Sequence, residues 1–267
     1  MDTNLALLCA LTAIINLIGA LAYSARIAGV RTRRIAMSFA LFNMLVLVSR
    51  LSNGFLAPLV AKRVEVAIHA GREAELLGDF RWMMASASIA VLVGILLMPT
   101  GQRLFARAID GMRKRPSLMQ LALRSATPSG MRTLADALTV PKVRSLGDLQ
   151  RPRQLGWSIV AANVLAQALL AVGVFASIYA GVLEPQFRVT ASQLSAVVNG
   201  FATILLFAFI DPHLSVLTDD VIDGDMDEAS YRRAVIWISG SRLAGTVLAQ
   251  ALFLPAALAV AMVARVI

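Results

Sequence analysis

The sequence predicts an all-α polytopic membrane protein, with about six transmembrane helices and one basic, amphipathic cytoplasmic loop. Three observations carry this. Of the 267 residues, 58% are hydrophobic and 15% charged, whereas soluble domains run near ~45–50% apolar with about a quarter charged. Six stretches, at about 3–24, 35–60, 82–100, 157–181, 192–210 and 234–264, reach the roughly 20 apolar residues a helix needs to cross about 30 Å of hydrocarbon. Lys and Arg are also shared unevenly between alternate loops. Residues 1–267 therefore read as a single integral membrane domain. One cysteine, Cys9, excludes an internal disulfide framework and a Cys-based zinc site. A net charge of +9 in so apolar a chain points to cytoplasmic loops facing anionic lipid rather than to nucleic acid.

The first span resembles a signal peptide at Ala20-Leu21-Ala22, but "MDTN" before it carries Asp2 and no Lys or Arg. The basic n-region of a signal is missing, so this segment is expected to stay as a helix. Loops 24–34, 101–156 and 211–233 hold seventeen of the 25 Lys and Arg residues, and the opposite side holds six. The remaining two, Arg50 and Arg242, lie within spans. The positive-inside rule then makes the three basic loops cytoplasmic and both termini extracytoplasmic.

Between the second and third spans, residues 61–81 are too polar to cross. Val64, Ile68, Leu76 and Leu77 suggest a short amphipathic helix on the outer surface, with His69 an exposed loop residue. In loop 101–156, Leu104, Phe105, Ala108, Ile109 and Met112 recur at helical spacing between arginines. That is the pattern of a basic helix in the interface plane. Arg113-Lys114-Arg115 is its densest patch, either a solvated positive-inside loop or a collector of anionic headgroups. Pro116, Pro128, Pro141 and Pro152 break the rest of the loop. No Walker loop or GxGxxG is present, so nothing calls for a nucleotide or another cofactor.

The acidic run at 219–228 invites a calcium reading, but the sixth position counted from Asp223 is Glu228 where Gly is needed, and the twelfth is Ala234 where Glu is needed. No metal site is expected. Asp225 or Asp227 more simply caps the sixth helix, and Asp211-Pro212 is expected to close the fifth.

The polar residues inside the spans point to function. Amides such as Asn16, Asn43, Asn53, Asn163, Asn199, Gln167, Gln193 and Gln250 ordinarily glue membrane helices together, at about 1 kcal/mol or less each. The arginines differ, because a central Arg costs about 2.5–3.5 kcal/mol on insertion scales. Arg50 lies about 24 Å along a helix from Arg34, and Arg242 about 14 Å from Arg233, at 1.5 Å per residue. Neither reaches the basic side easily. Ser49, Arg50 and Asn53 share one helical face, and Ser241-Arg242-Leu243 repeats the tripeptide Ser49-Arg50-Leu51. No Asp or Glu sits within the six expected spans. Buried guanidiniums without a resident partner suit the oxygens of an anionic ligand such as a phosphate. The expected substrate contacts are Arg50, Arg242, Asn53, Ser49, Asn43, Ser241 and Gln250. Arg31, Arg33 and Arg34 form the expected headgroup entrance.

The stretches "AYSARIAGVRTRRIAMS", "LVSRLSN", "LTDDVIDG" and "SRLAGTVLAQALFLPAA" resemble the Amj family of lipid II flippases, alternates to MurJ in bacterial cell-wall synthesis. The likeness covers about 20–65 and 205–260. It implies a multi-pass protein of the bacterial cytoplasmic membrane. The substrate so implied is lipid II, the undecaprenyl-pyrophosphate-linked disaccharide-pentapeptide, moved from the inner to the outer leaflet. It implies a transporter rather than an enzyme, and it carries over no site residues. Anionic membrane lipids and a second copy of the chain are further expected partners. Rival readings are a transporter of another polyprenyl-linked or anionic substrate, and a membrane scaffold whose arginines bind lipid structurally.

Overall fold

The computed structural model describes residues 2–114, 136–139 and 150–267, and within them every regular element is helical. In chain order these are α1 (Thr3–Thr32), α2 (Ile35–His69), α3 (Glu73–Leu96), α4 (Met98–Lys114), α5 (Trp157–Leu183), a 3-10 turn (Pro185–Phe187), α6 (Arg188–Leu205), a π turn (Leu206–Ile210), α7 (Asp211–Asp223) and α8 (Glu228–Val266). Six continuous segments are long and apolar enough to cross a membrane: α1, α2, α3, α5, the run Pro185–Asp223, and α8. The expected fold class is borne out.

The helices outrun the expected spans. At 35 residues, α2 is about 50 Å long at 1.5 Å per residue. It continues to His69, and α3 begins at Glu73. The separate helix expected within 61–81 is therefore absent, because Val64 and Leu76 are buried between helices rather than laid on a membrane surface. Asp211-Pro212 likewise does not end the fifth span. Pro212 has no amide to bond the carbonyl four residues back, and a π turn precedes it instead of a break. The chain stays helical to Asp223, where Gly224 at φ 89° closes it. Asp227 caps α8 as expected, its carboxylate accepting the Ser230 amide at 2.9 Å. The Ser230 side chain and that amide bond hold the Asp227 carboxyl below its ordinary pKa.

The basic helix of loop 101–156 is present as α4, but the bundle takes its apolar side. Ile109 is fully buried, and Phe105 and Ala108 pack on the same cluster. Arg103, Arg107 and Asp110 face outward. The rest of the basic loop, including Arg115 and the prolines at 116, 128 and 141, lies outside the described residues.

The spans form two groups of three. In the first, α1 packs along α2, α3 and α4; in the second, α5 packs along α6 and α8. The groups meet chiefly where α3 and α1 touch α8. The α1–α2 turn is tight, with Arg33 at φ 52°, the Arg34 amide on the Gly29 carbonyl and the Arg33 amide on that of Val30. This is the six-to-one and five-to-two bonding of a Schellman cap. At the end that carries both termini, Arg63 on α2 donates to Asp79 on α3 at 2.8 Å and to Asp2, the cap of α1, at 2.9 Å. One guanidinium thus ties three helices.

The closest crossing is α5 over α8. A Cβ at Gly245 would lie 2.6 Å from the Val164 carbonyl oxygen and 3.0 Å from the Ala168 amide. Backbone cannot yield as a side chain can, so Gly245→Ala is expected to destabilise the protein by about 1–3 kcal/mol, the usual cost of overpacking. Thermal unfolding of the full chain in detergent reads this, and an unchanged midpoint would contradict the crossing.

Two apolar clusters close the ends of the bundle. One, toward the termini, gathers Leu5, Leu56, Phe80, Phe175 and Phe253. The other, toward the opposite end, gathers Ile27, Phe42, Ile210, Leu214 and Tyr231.

Candidate functional site

A cavity of about 400 Å³ lies between these clusters. Its polar lining comes from nearly every span. Helix α2 brings Ser49, Arg50 and Asn53; α8 brings Arg242 and Thr246. Asn16 enters from α1 and Gln167 from α5. Ser195, Asn199 and Thr203 line the opposite wall on α6, and Asp211 stands at the start of α7.

Arg50 reaches across the cavity. Its Nη1 donates to Thr203 Oγ1 at 3.2 Å, and its guanidinium lies 5.0 Å from the Phe207 ring centroid. Beside it Ser49 donates to the Ile15 carbonyl at 3.1 Å, fixing α2 to α1. Arg242 is held less completely. Its Nη2 lies 3.4 Å from Asn16 Oδ1, at the long end of hydrogen bonding, and its Nε is buried without a partner. The guanidinium lies flat against Gly19, where a Cβ would come within 2.6 Å of Nη2. Glycine there makes room for the charge. On the far wall Asn199 Oδ1 is also buried and unpartnered.

Four of the seven expected contacts line this cavity together: Ser49, Arg50, Asn53 and Arg242. The other three lie elsewhere. Asn43 is exposed on the outer side of α2. Ser241 is buried at the α5–α8 crossing, accepting from Asn163 Nδ2 at 2.7 Å and donating to the Ile238 carbonyl. Gln250 donates to the Arg81 carbonyl of α3 at 3.1 Å. These are the helix-gluing bonds ordinary for polar groups in membranes. Arg31 and Arg33 are exposed at the α1–α2 turn, while Arg34 lies 3.8 Å from Asp110 of α4.

Two charged residues beside the cavity are not legible as such in the sequence. Arg26 reads as part of a basic loop, yet it lies inside α1, 3% exposed, with Nη2 2.8 Å from Asp211 Oδ1. Its guanidinium stacks over Phe42 at 4.3 Å and Phe39 at 4.7 Å. Asp211 was assigned to a boundary because Pro212 follows it. The available signal was the helical continuation Leu214, Leu217 and Thr218, all buried on one face. Two guanidiniums, Arg50 and Arg242, and one carboxylate, Asp211, line the cavity, and Arg26, from outside the lining, already engages that carboxylate. The remaining field is cationic and lies between largely apolar walls, where charge is less screened than in water. Such a site suits an anion.

The family model for Amj, described as alternate to MurJ, matches residues 11–264. This chain belongs to the Amj family. The match reaches into all six spans and takes in the whole cavity. A relative from Bacillus subtilis (strain 168), named lipid II flippase Amj, is 32% identical over 247 residues, covering 91% of this chain and 90% of that protein. No solved structure matches the chain. This Amj chain is thus a multi-pass membrane protein, similar along most of its length to a flippase.

Proposed function

We propose that this chain is a lipid II flippase. It moves the undecaprenyl-pyrophosphate-linked disaccharide-pentapeptide from the inner to the outer leaflet of the bacterial cytoplasmic membrane. The observation that carries the mechanism is the pair of guanidiniums, Arg50 and Arg242, lining one cavity in a chain similar to a lipid II flippase. Lipid II crosses slowly unaided because its pyrophosphate, sugars and peptide would lose water in hydrocarbon. The cavity replaces part of that water. Arg50 and the free edge of Arg242 hold pyrophosphate oxygens through charge-assisted bonds, and Asn53, Gln167, Asn199 and Ser195 offer donors and acceptors to the sugars. The clusters at the two ends open in alternation, as in transporters built from two opposed groups of helices. A membrane potential, negative inside, favours outward movement of an anion by about 2.3 kcal/mol per charge per 100 mV.

The test is a bacterial strain in which this chain is the sole lipid II flippase, with lipid II at the outer surface measured by an externally added hydrolase. Sustained surface lipid II is expected. Accumulation in the inner leaflet, with the protein present in the membrane, would refute the reading.

The orientation is part of the proposal, with both termini outside and the turns at Arg33 and Gly224 cytoplasmic. In a Cys9→Ala background, cysteines at Gly71 and Gln186 should react with an impermeant maleimide in intact cells. Cysteines at Arg33 and Gly224 should react only after permeabilisation. The reverse pattern would invert the topology.

A further inference from the structure

We propose that substrate enters the cavity sideways, through a portal between α2 and α6, and that the occupant of this portal is the polyprenyl chain of the lipid whose pyrophosphate the cavity holds. The inference rests on the flippase reading above and assigns it a door.

The ring of helices around the cavity is sealed at every seam but one. Helix α2 packs along α1, α1 and α3 meet α8, α8 packs along α5, and α5 packs along α6. Among the described residues, α2 and α6 do not pack along one another. Side chains span the gap instead, as Arg50 reaches Thr203. Exposure marks the same place. Of the residues that line the cavity, three are also exposed: Gly54 on α2, Ala196 on α6 and Phe207 in the π turn. The lining residues of α1, α3, α5 and α8 include no exposed one.

The flanks of this gap are apolar. Leu51 and Phe55 are 62% and 69% exposed on α2, and Phe201 and Ile204 are 63% and 60% exposed on α6. In a membrane these faces meet hydrocarbon, while the groove between them leads to a cationic site. That sequence of surfaces matches an amphiphile with a long hydrocarbon tail and an anionic head. A soluble anion would gain nothing from it. Both flanking helices are also weakened at this level. Pro58 removes the amide that would bond the Gly54 carbonyl, and Pro212 the one for Ala208, in the π turn next to Phe207. Ladder irregularities of this kind let a helix bend, and π turns recur at functional sites. Parting α2 from α6 breaks the Arg50–Thr203 bond and frees Arg50 for the incoming pyrophosphate.

The experiment has two arms in the full-length protein. In a Cys9→Ala background, Gly54→Cys and Ala196→Cys are joined by a reducible bis-methanethiosulfonate, and lipid II export by the same protein is followed before joining, after joining and after reduction. Export is expected to fall at least ten-fold on joining and to return on reduction. In the second arm, p-benzoylphenylalanine replaces Gly54, Ala196 or, as a lipid-facing comparison, Val247, which is 55% exposed next to the cavity residue Thr246. Irradiation should attach lipid II at 54 and 196 several-fold more than at 247. Export undiminished by the joined pair, or equal capture at 247, overturns the portal while leaving the flippase reading standing. If the unjoined protein moves no lipid II, it is the flippase reading that fails.

Discussion

Arg242→Gln is expected to reduce lipid II export by ten- to a hundred-fold while the protein still folds. A charge-assisted hydrogen bond contributes about 1.5–3 kcal/mol, and each ~1.4 kcal/mol corresponds to a factor of ten. Within the described structure, Arg242 makes one long hydrogen bond to Asn16 and leaves Nε unpartnered. Removing its charge therefore costs the fold little and removes most of what holds a phosphate. Glutamine keeps a polar amide donor but is shorter and loses the cation and the planar fork. Arg242→Lys should recover only part of the activity, since a point charge cannot bond two oxygens side by side. Surface lipid II, measured at matched membrane abundance of each variant, checks the series. Wild-type export by Arg242→Gln would remove Arg242 from the site. Arg50→Gln should follow the same direction, with the added loss of the Thr203 and Phe207 contacts across the α2–α6 gap.

Asp211→Ala should be the most destabilising single change among the polar residues. It leaves Arg26, 3% exposed, as a buried cation without its carboxylate, and breaking such a pair costs about 3–5 kcal/mol. Arg26 has little alternative, because its Nε and Nη1 already lack partners. The paired replacement Arg26→Met with Asp211→Leu should return much of that stability, since well-packed apolar residues often replace a buried ion pair without loss. Thermal unfolding of the full chain in detergent separates the cases. If the single and double variants unfold together, the pair does not hold α1 to α7.

The fold was legible because a membrane imposes few solutions. Uninterrupted apolar runs and the arginine count of the loops gave six spans directly. Their ends were less legible. Val64 and Leu76 read as an interfacial stripe, since amphipathic spacing does not say whether lipid or a neighbouring helix covers the apolar side. The same ambiguity moved Ile109 from membrane surface to bundle core. Pro212 reads as a stop, though a π turn lets a helix pass a proline. A stop there hides Asp211, and with it the reason Arg26 can lie inside α1. At the site, charge was the reliable signal. Arg50 and Arg242 reached the cavity because an unpaired guanidinium in hydrocarbon has few tolerable places. Amides and hydroxyls are cheaper to satisfy locally, so Asn53 and Asn163 could not be told apart by type. Asn53 lines the cavity, whereas Asn163 binds α5 to α8 through Ile238 and Ser241.

In the proposed mechanism, two guanidiniums in one cavity carry the pyrophosphate of lipid II across the bilayer. Purified wild-type protein and the Arg50→Gln/Arg242→Gln double variant, reconstituted in equal amounts into vesicles containing fluorescent lipid II, test it most directly. Loss of inner-leaflet probe to an external quencher reports movement. Wild-type vesicles should expose the inner pool well above protein-free vesicles, and the folded double variant should match protein-free vesicles. Movement by the double variant at the wild-type rate would contradict the account.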